Sequence, residues 1–192
     1  MSKRVADALF PDIRMTYQEA EALYPPRNLP EGAVCTRFAP SPTGFMHIGG
    51  LYTALLNSSF TRSRGGVFFL RIEDTDQKRQ IENGVTEIIS ALDEFQIRFD
   101  EGAVGETEDS GRYGPYRQSR RRELYQAFAK YLVEIGRAYP CFCTAGELEA
   151  VRQRQEEADA PQKGYYGQWA PCRDLDEETV LKRIANGDRW IV

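Results

Sequence analysis

Apolar and polar positions keep two different rhythms along these 192 residues. Three short runs rich in β-branched and aromatic residues, Val34 to Phe38, Val67 to Ile72 and Ile97 to Asp100, read as strands. The second is almost continuously apolar, which suits a strand buried on both faces of a parallel sheet. Between the runs the period lengthens to that of a helix. Leu51–Ser59 forms one such stretch, and Glu82 to Phe95 sets Val85, Ile88, Ile89, Leu92 and Phe95 on one face. Strand, helix, strand, helix, strand predicts parallel pairing in a doubly wound α/β layer. Glu101 to Gly114 is rich in glycine and acid and reads as a loop. Tyr116-Arg117-Gln118-Ser119 then leads into a helix with Leu124, Phe128, Tyr131, Leu132 and Ile135 inward and Gly136 as its stop.

The flanks behave differently. Residues 1–33 read as an N-terminal extension, where Thr16-Tyr17-Gln18-Glu19 is a capping box ahead of Ala20, Ala22 and Leu23, and Pro25-Pro26 and Pro30 end the helix. Residues 34–137 hold the α/β pattern. From Ala138 the chain turns compact and aromatic, so 138–192 reads as a separate lobe. There Thr144 to Glu147 is a second capping box, opening a charged helix to about Ala158. A loop from Pro161 to Pro171 carries Tyr165, Tyr166 and Trp169 and leads to Cys172, and a short helix runs from Asp176 to Gly187.

The chemistry concentrates where the first strand stops. In Arg37-Phe38-Ala39-Pro40-Ser41-Pro42-Thr43-Gly44-Phe45-Met46-His47-Ile48-Gly49-Gly50, two prolines remove amide donors and fix φ, so regular structure must end. Gly49-Gly50 then lets a phosphate approach the backbone where the next helix presents free N–H groups and the positive end of its dipole. His47, the one histidine of the chain, sits at that mouth. Alone, a histidine at such a corner is more often structural than catalytic. The second strand ends in Arg71-Ile72-Glu73-Asp74-Thr75-Asp76, at the edge where open parallel sheets bind ligands. That cluster can cap the next helix, bind a cation or hold an amine, and by itself it most simply reads as a solvated acidic loop.

Composition adds little beyond this frame. With 41% hydrophobic residues the chain can bury one good core and a small second lobe. A net charge of −4 argues against bulk electrostatic attachment to nucleic acid. Arg117, Arg120, Arg121 and Arg122 cluster densely, equally as a solvated helix start or as a phosphate contact. No run matches a membrane span or a secretory signal, which gives a cytoplasmic expectation with no membrane partner. Four cysteines in a reducing compartment do not suggest disulfides. Cys35, in the first strand, is expected to be a buried inert thiol. Cys141, Cys143 and Cys172 lack the second close pair of a zinc ribbon, so spacing leaves a metal and an unmetallated lobe evenly weighted.

The run from Thr36 to Gly50 resembles the signature of class I aminoacyl-tRNA synthetases, and its flanking residues resemble the glutamyl and glutaminyl branch. One departure is visible, since the family's His-Ile-Gly-His tetrad stands here as His47-Ile48-Gly49-Gly50. Arg71 to Asp76, Gly114 to Ser119 and Cys141-Phe142-Cys143 continue the similarity to glutamyl enzymes. The fold implied is α/β, half of a class I Rossmann-like nucleotide-binding fold with the start of an inserted acceptor-binding, zinc-containing lobe. The resemblance implies that Arg37 pairs with the substrate side-chain carboxylate, that Ala39 and Ser41 line the same pocket, and that Glu73 takes the α-ammonium. Ser41, Thr43, His47, Gly49 and Gly50 would cradle ATP with Mg²⁺, with His47, Gly49 and Gly50 at the chemistry. The zinc ligands implied are Cys141, Cys143 and Cys172, with Tyr165 selected as fourth, and Tyr166, Asp174 or water as its substitutes. The activity implied is ATP-dependent ligation of glutamate to tRNA(Glu) by an enzyme monomeric at full length.

The family's Lys-Met-Ser-Lys-Ser loop has no counterpart among Lys3, Lys78, Lys130, Lys163 and Lys182, and Trp190-Ile191-Val192 reads as the middle of a strand. The expectation is an N-terminal part of a longer enzyme, inactive alone. Rival readings are the paralogue that glutamylates a modified tRNA base, a binding module without turnover, and a nucleotidylyltransferase of related fold.

Overall fold

The computed structural model describes residues 2–192, which fall into two compact units: residues 2–20 with 124–192, and residues 21–123.

In the second unit the strands are β1 (Cys35–Phe38), β2 (Val67–Leu70), β3 (Glu101–Ala103) and β4 (Asp109–Ser110), hydrogen-bonded in that order. β1, β2 and β3 are parallel, and β4 returns antiparallel to β3. Helix α3 (Ile48–Ser63) joins β1 to β2, and α4 (Gly84–Glu94) joins β2 to β3. The unit's core combines Phe38, Phe68, Leu70 and Ile72 with Leu51 and Ala54 of α3 and Val85, Ile88 and Leu92 of α4, so both helices lie on one sheet face. This differs from the expectation of a strand buried on both faces. Val67 and Phe69, pointing the other way, are half-buried, and the Tyr116 ring stands 6.2 Å from that of Phe69.

Other boundaries move for local reasons. The third strand begins after the Ile97–Asp100 run. The Asp100 carboxylate accepts the Phe68 N–H at 2.8 Å, taking the donor that a partner carbonyl would have used, so the regular β2–β3 pairing starts at Glu101. The presumed loop of 101–114 therefore contains a β3–β4 hairpin. Cys35 is exposed, because its side chain alternates outward on a strand at the sheet edge. Phe95 of the predicted apolar face is exposed beyond the end of α4.

The other unit begins with α1 (Lys3–Leu9), a helix the sequence pattern did not suggest, capped by the Ser2 side chain. It is followed by the start of α2 (Tyr17–Ala22), which carries the Thr16/Glu19 capping box. Val5, Ala6, Leu9 and Phe10 share a core with Val133, Phe142, Cys172 and Val180, and Lys130 ties Phe10 and Ile13 carbonyls together beside Asp7. Helix α5 (Arg122–Glu134) buries Leu124, Ala127 and Val133, whereas Leu132 and Ile135 are exposed, a rotation of its expected face. α6 (Ala145–Glu157) and α7 (Glu177–Ala185) start at Thr144 and Asp176, whose side chains cap the first-turn amides. A single antiparallel bridge links Cys141 to Ile191.

Candidate active site and cysteine cluster

The carboxyl ends of β1 and β2 are stitched unevenly. Phe38, Pro40 and Pro42 carbonyls accept the N–H groups of Arg71, Glu73 and Ile81 at 3.0, 2.9 and 3.0 Å. The prolines return no donor, so the two chains stay in register without closing into a full ladder. Arg37 and Glu73 are thereby neighbours, with Arg37 Nη2 3.7 Å from Glu73 Oε1, and Arg71 Nη2 reaches the same oxygen at 3.3 Å. A guanidinium beside a carboxylate, both partly open to solvent, suits a zwitterionic ligand that brings its own carboxylate and ammonium.

The rest of the acidic cluster divides its labour. Asp74 accepts the Ser119 N–H at 2.8 Å and its hydroxyl at 2.5 Å, holding the 3₁₀ turn that leads into α5, while Asp76 pairs with Arg79 at 2.6 Å. Asp74 thus holds a distant turn and not the next helix, α4, whose N-cap is Asn83, while Glu73 faces the cations. The Ile72 N–H and carbonyl bind Tyr116 and Gln118 on either side of Arg117, a parallel bridge that fixes the strand end on its second side.

His47 ends the turn as the N-cap of α3, in extended backbone, and its side chain makes no cap hydrogen bond. A Cβ at Gly49 would lie 3.2 Å from His47 Nδ1, so the imidazole rests close over the first turn and glycine gives it the most room there. His47, Gly49 and Ser41 are exposed, while Ala39, Thr43 and Gly50 are half-buried. An open helix N-terminus beside an imidazole suits a phosphate.

The arginine cluster is less available than its density suggests. Arg117 is 4% exposed, donates to the Gly105 carbonyl and lies 3.7 Å from Asp109. Arg120 and Arg121 donate to the carbonyls of Thr107 and Pro115. These three hold loops together.

In the other unit, the sulfurs of Cys141, Cys143 and Cys172 lie within 4.8 Å of one another. The Tyr165 hydroxyl is 3.3 Å from both Cys141 Sγ and Cys143 Sγ, and Cys143 Sγ is 3.6 Å from Cys172 Sγ. Tetrahedral zinc with Zn–S bonds of about 2.3 Å would space two sulfurs by about 3.8 Å, so the donor set fits such an ion. Tyr165 is set by a device absent from the sequence reading: buried Gln155 accepts the Gly164 N–H at 3.0 Å and returns its amide to the Gly164 carbonyl at 2.6 Å. Burial pushes the Cys143 thiol up to about 11, and burial with the surrounding thiols raises Tyr165. At Cys172 burial acts upward too, but hydrogen bonds involving Tyr165 and the Phe142 N–H outweigh it and hold that thiol below its ordinary value.

A family model described as tRNA synthetases class I (E and Q), catalytic domain, matches residues 33–192. The chain belongs to this family. Among its synthetase relatives, the glutamate–tRNA ligase of Acetivibrio thermocellus is 50% identical over 99% of this chain and 35% of its own length. That of Clostridium beijerinckii is 47% identical over 99% and 34%. Crystal structures of a glutamate–tRNA synthetase from Elizabethkingia anophelis and a glutamate tRNA ligase from Elizabethkingia meningosepticum, the latter in complex with its amino acid, each align with TM-score 0.69 at 35% identity. They cover 83% and 82% of this chain and 32% and 31% of their own. The chain thus spans about a third of the length of these synthetases. Among the described residues no helix is long and apolar enough to cross a membrane.

Proposed function

We propose that this chain carries the amino-acid and ATP subsites of an ATP-dependent glutamate–tRNA ligase. The observation that carries the reading is the placement of Arg37 3.7 Å from Glu73 at the ends of adjacent parallel strands, in the same unit as the glycine-opened start of α3. In this reading Arg37 takes the side-chain carboxylate of glutamate and Glu73 the α-ammonium, with Ala39 and Ser41 along the pocket. The free α-carboxylate then attacks the α-phosphorus of ATP and pyrophosphate leaves, after which a terminal ribose hydroxyl of tRNA(Glu) takes the acyl group from the acyl-adenylate and AMP leaves. His47 with the amide at Gly49, the close approach that Gly50 allows, and Ser41 and Thr43 beside them stabilise phosphate charge, and Mg²⁺ neutralises the triphosphate when bound. No protein nucleophile is needed, since positioning and charge stabilisation carry such a transfer. Cys141, Cys143, Cys172 and Tyr165 would hold a structural zinc, which cross-links the lobe when bound.

Glutamate-dependent pyrophosphate exchange, run with tRNA on the protein at its natural length, tests the reading. Exchange should require L-glutamate and fall roughly 10²–10³-fold in His47→Ala, the usual loss on removing one transition-state donor. Exchange supported equally by aspartate or glutamine, or untouched by His47→Ala, refutes it.

A further inference from the structure

Two guanidinium groups compete for one oxygen of Glu73, and they are not equivalent. Arg71 donates to Oε1 at 3.3 Å; its side chain is 18% exposed and its Nε is sealed from solvent without an acceptor. The Arg71 main chain is anchored as well, its N–H donating to the Phe38 carbonyl. Arg37 is 39% exposed and stands 3.7 Å away, beyond hydrogen-bonding distance. The buried cation therefore holds Glu73, and the exposed one is only loosely drawn to it.

We propose that Arg71 is a positioning residue of the substrate pocket, which neutralises Glu73 so that Arg37 stays available to a ligand carboxylate. The inference rests on the reading that Arg37 receives that carboxylate. Without Arg71, Arg37 is the one cation among the described residues that pairs with Glu73 within 4.0 Å. The pair then closes to direct contact, and an entering carboxylate must break it, because a carboxylate left in a half-buried site takes whichever cation can reach it. With Arg71 present the exchange is nearly balanced, since Glu73 keeps a partner whether or not Arg37 swings away. A dicarboxylate lacking an ammonium isolates this effect, because it draws on Arg37 and makes no use of Glu73.

The test is an NMR titration of the protein at its natural length with glutarate, comparing the unaltered chain with Arg71→Met, Arg71→Lys, Glu73→Gln and the double variant Arg71→Met/Glu73→Gln. Arg71→Met should weaken glutarate binding roughly three- to tenfold, the worth of one charge-assisted contact at a partly screened site. Arg71→Lys should restore most of it. In the Glu73→Gln background the same Arg71 change should cost less than about twofold, because no carboxylate remains to capture Arg37. Equal loss in both backgrounds is what a merely structural arginine gives and overturns the inference, as does unchanged binding by Arg71→Met. Should Arg71→Met fail to fold, Arg71→Gln removes the charge with a smaller loss of polarity and is judged by the same outcomes. If the unaltered chain binds neither glutarate nor L-glutamate, the pocket reading itself falls. Binding of both with no Arg71 effect sinks only the present inference.

Discussion

Replacing Arg27 with methionine should destabilise the unit of residues 21–123 by about 3 kcal/mol. Arg27 forms a two-pronged pair with Glu101, at 2.7 and 2.6 Å, with both side chains about 15% exposed, and its guanidinium stacks 3.6 Å over the Tyr113 ring. Removing one member of a buried pair typically costs about 3–5 kcal/mol, and the stacked cation adds about 0.5–2 kcal/mol. The residual exposure and the Tyr116 hydroxyl, which also donates to Glu101 at 2.6 Å, pull the total toward the lower end. The sign of the pH dependence is fixed by Glu101. The bond from Arg27 holds its carboxyl below the ordinary 4.5 against the opposing effect of burial. The unaltered protein therefore has this stabilisation in full above that value and loses it as pH falls through the lower folded pKa. In Arg27→Met burial acts with only Tyr116 against it, so the ionised carboxylate is penalised at neutral pH and the neutral acid much less. Urea denaturation at 25 °C should show a gap of about 3 kcal/mol at pH 7.5, shrinking by more than half toward pH 4.5. Arg27→Met/Glu101→Gln should be more stable than Arg27→Met at pH 7.5. A gap that does not change with pH, or a double variant no better than the single, would refute the reasoning.

Protein purified without chelators should contain about one zinc per chain by elemental analysis, and Cys143→Ser should lose it; metal-free native protein would leave the thiol cluster held by packing alone. Gly66→Ala should cost at least about 3 kcal/mol in urea denaturation, because its Cβ would lie 1.8 Å from the Val34 carbonyl oxygen that accepts the Val67 N–H. Gly136→Ala, with open space around it and φ at +72°, should cost only about 1 kcal/mol from backbone strain, and equal losses at the two glycines would contradict the steric argument.

What the sequence made legible follows from which signals are local. Val85, Ile88 and Leu92 announced α4, and Thr144 with Glu147 announced the start of α6, because a period and a cap are written within a few neighbouring residues. The same holds for the turn at Pro40 and Pro42, whose covalent constraints need no partner. The β3–β4 hairpin was hidden because Glu101-Gly102-Ala103 has no apolar alternation, and its strand is defined by what Leu70 offers across the sheet. The face of α5 differs from its periodicity because Leu132 and Val133 are equally apolar, and only the core that Val133 shares with α1, Phe142, Cys172 and Val180 decides that Val133 turns inward. Within the candidate site, Arg37 and Glu73 stood in the motif that the sequence offered, and the structure brings them within 3.7 Å of each other. The contact of Arg71 with Glu73 carried no sequence signal, since it depends on how the two side chains fold back at the strand end. Gln155 carried no signal at all: a glutamine in a polar helix gives no hint that it will be buried and clamp a loop nine residues away.

The one-way stitching at the sheet end makes the crevice a matter of covalent chemistry as much as of packing. Leu70 and Phe38 face each other as a true pair, and just beyond them every bond runs from the β2 side to a carbonyl of the proline turn. A strand that can accept but not donate cannot be zipped further, whatever the side chains prefer. The mouth is thus held open by two missing hydrogen atoms, those on the nitrogens of Pro40 and Pro42. The side chains of Arg37 and Glu73 can therefore stand at the strand ends, partly open to solvent, without any unpairing of the sheet.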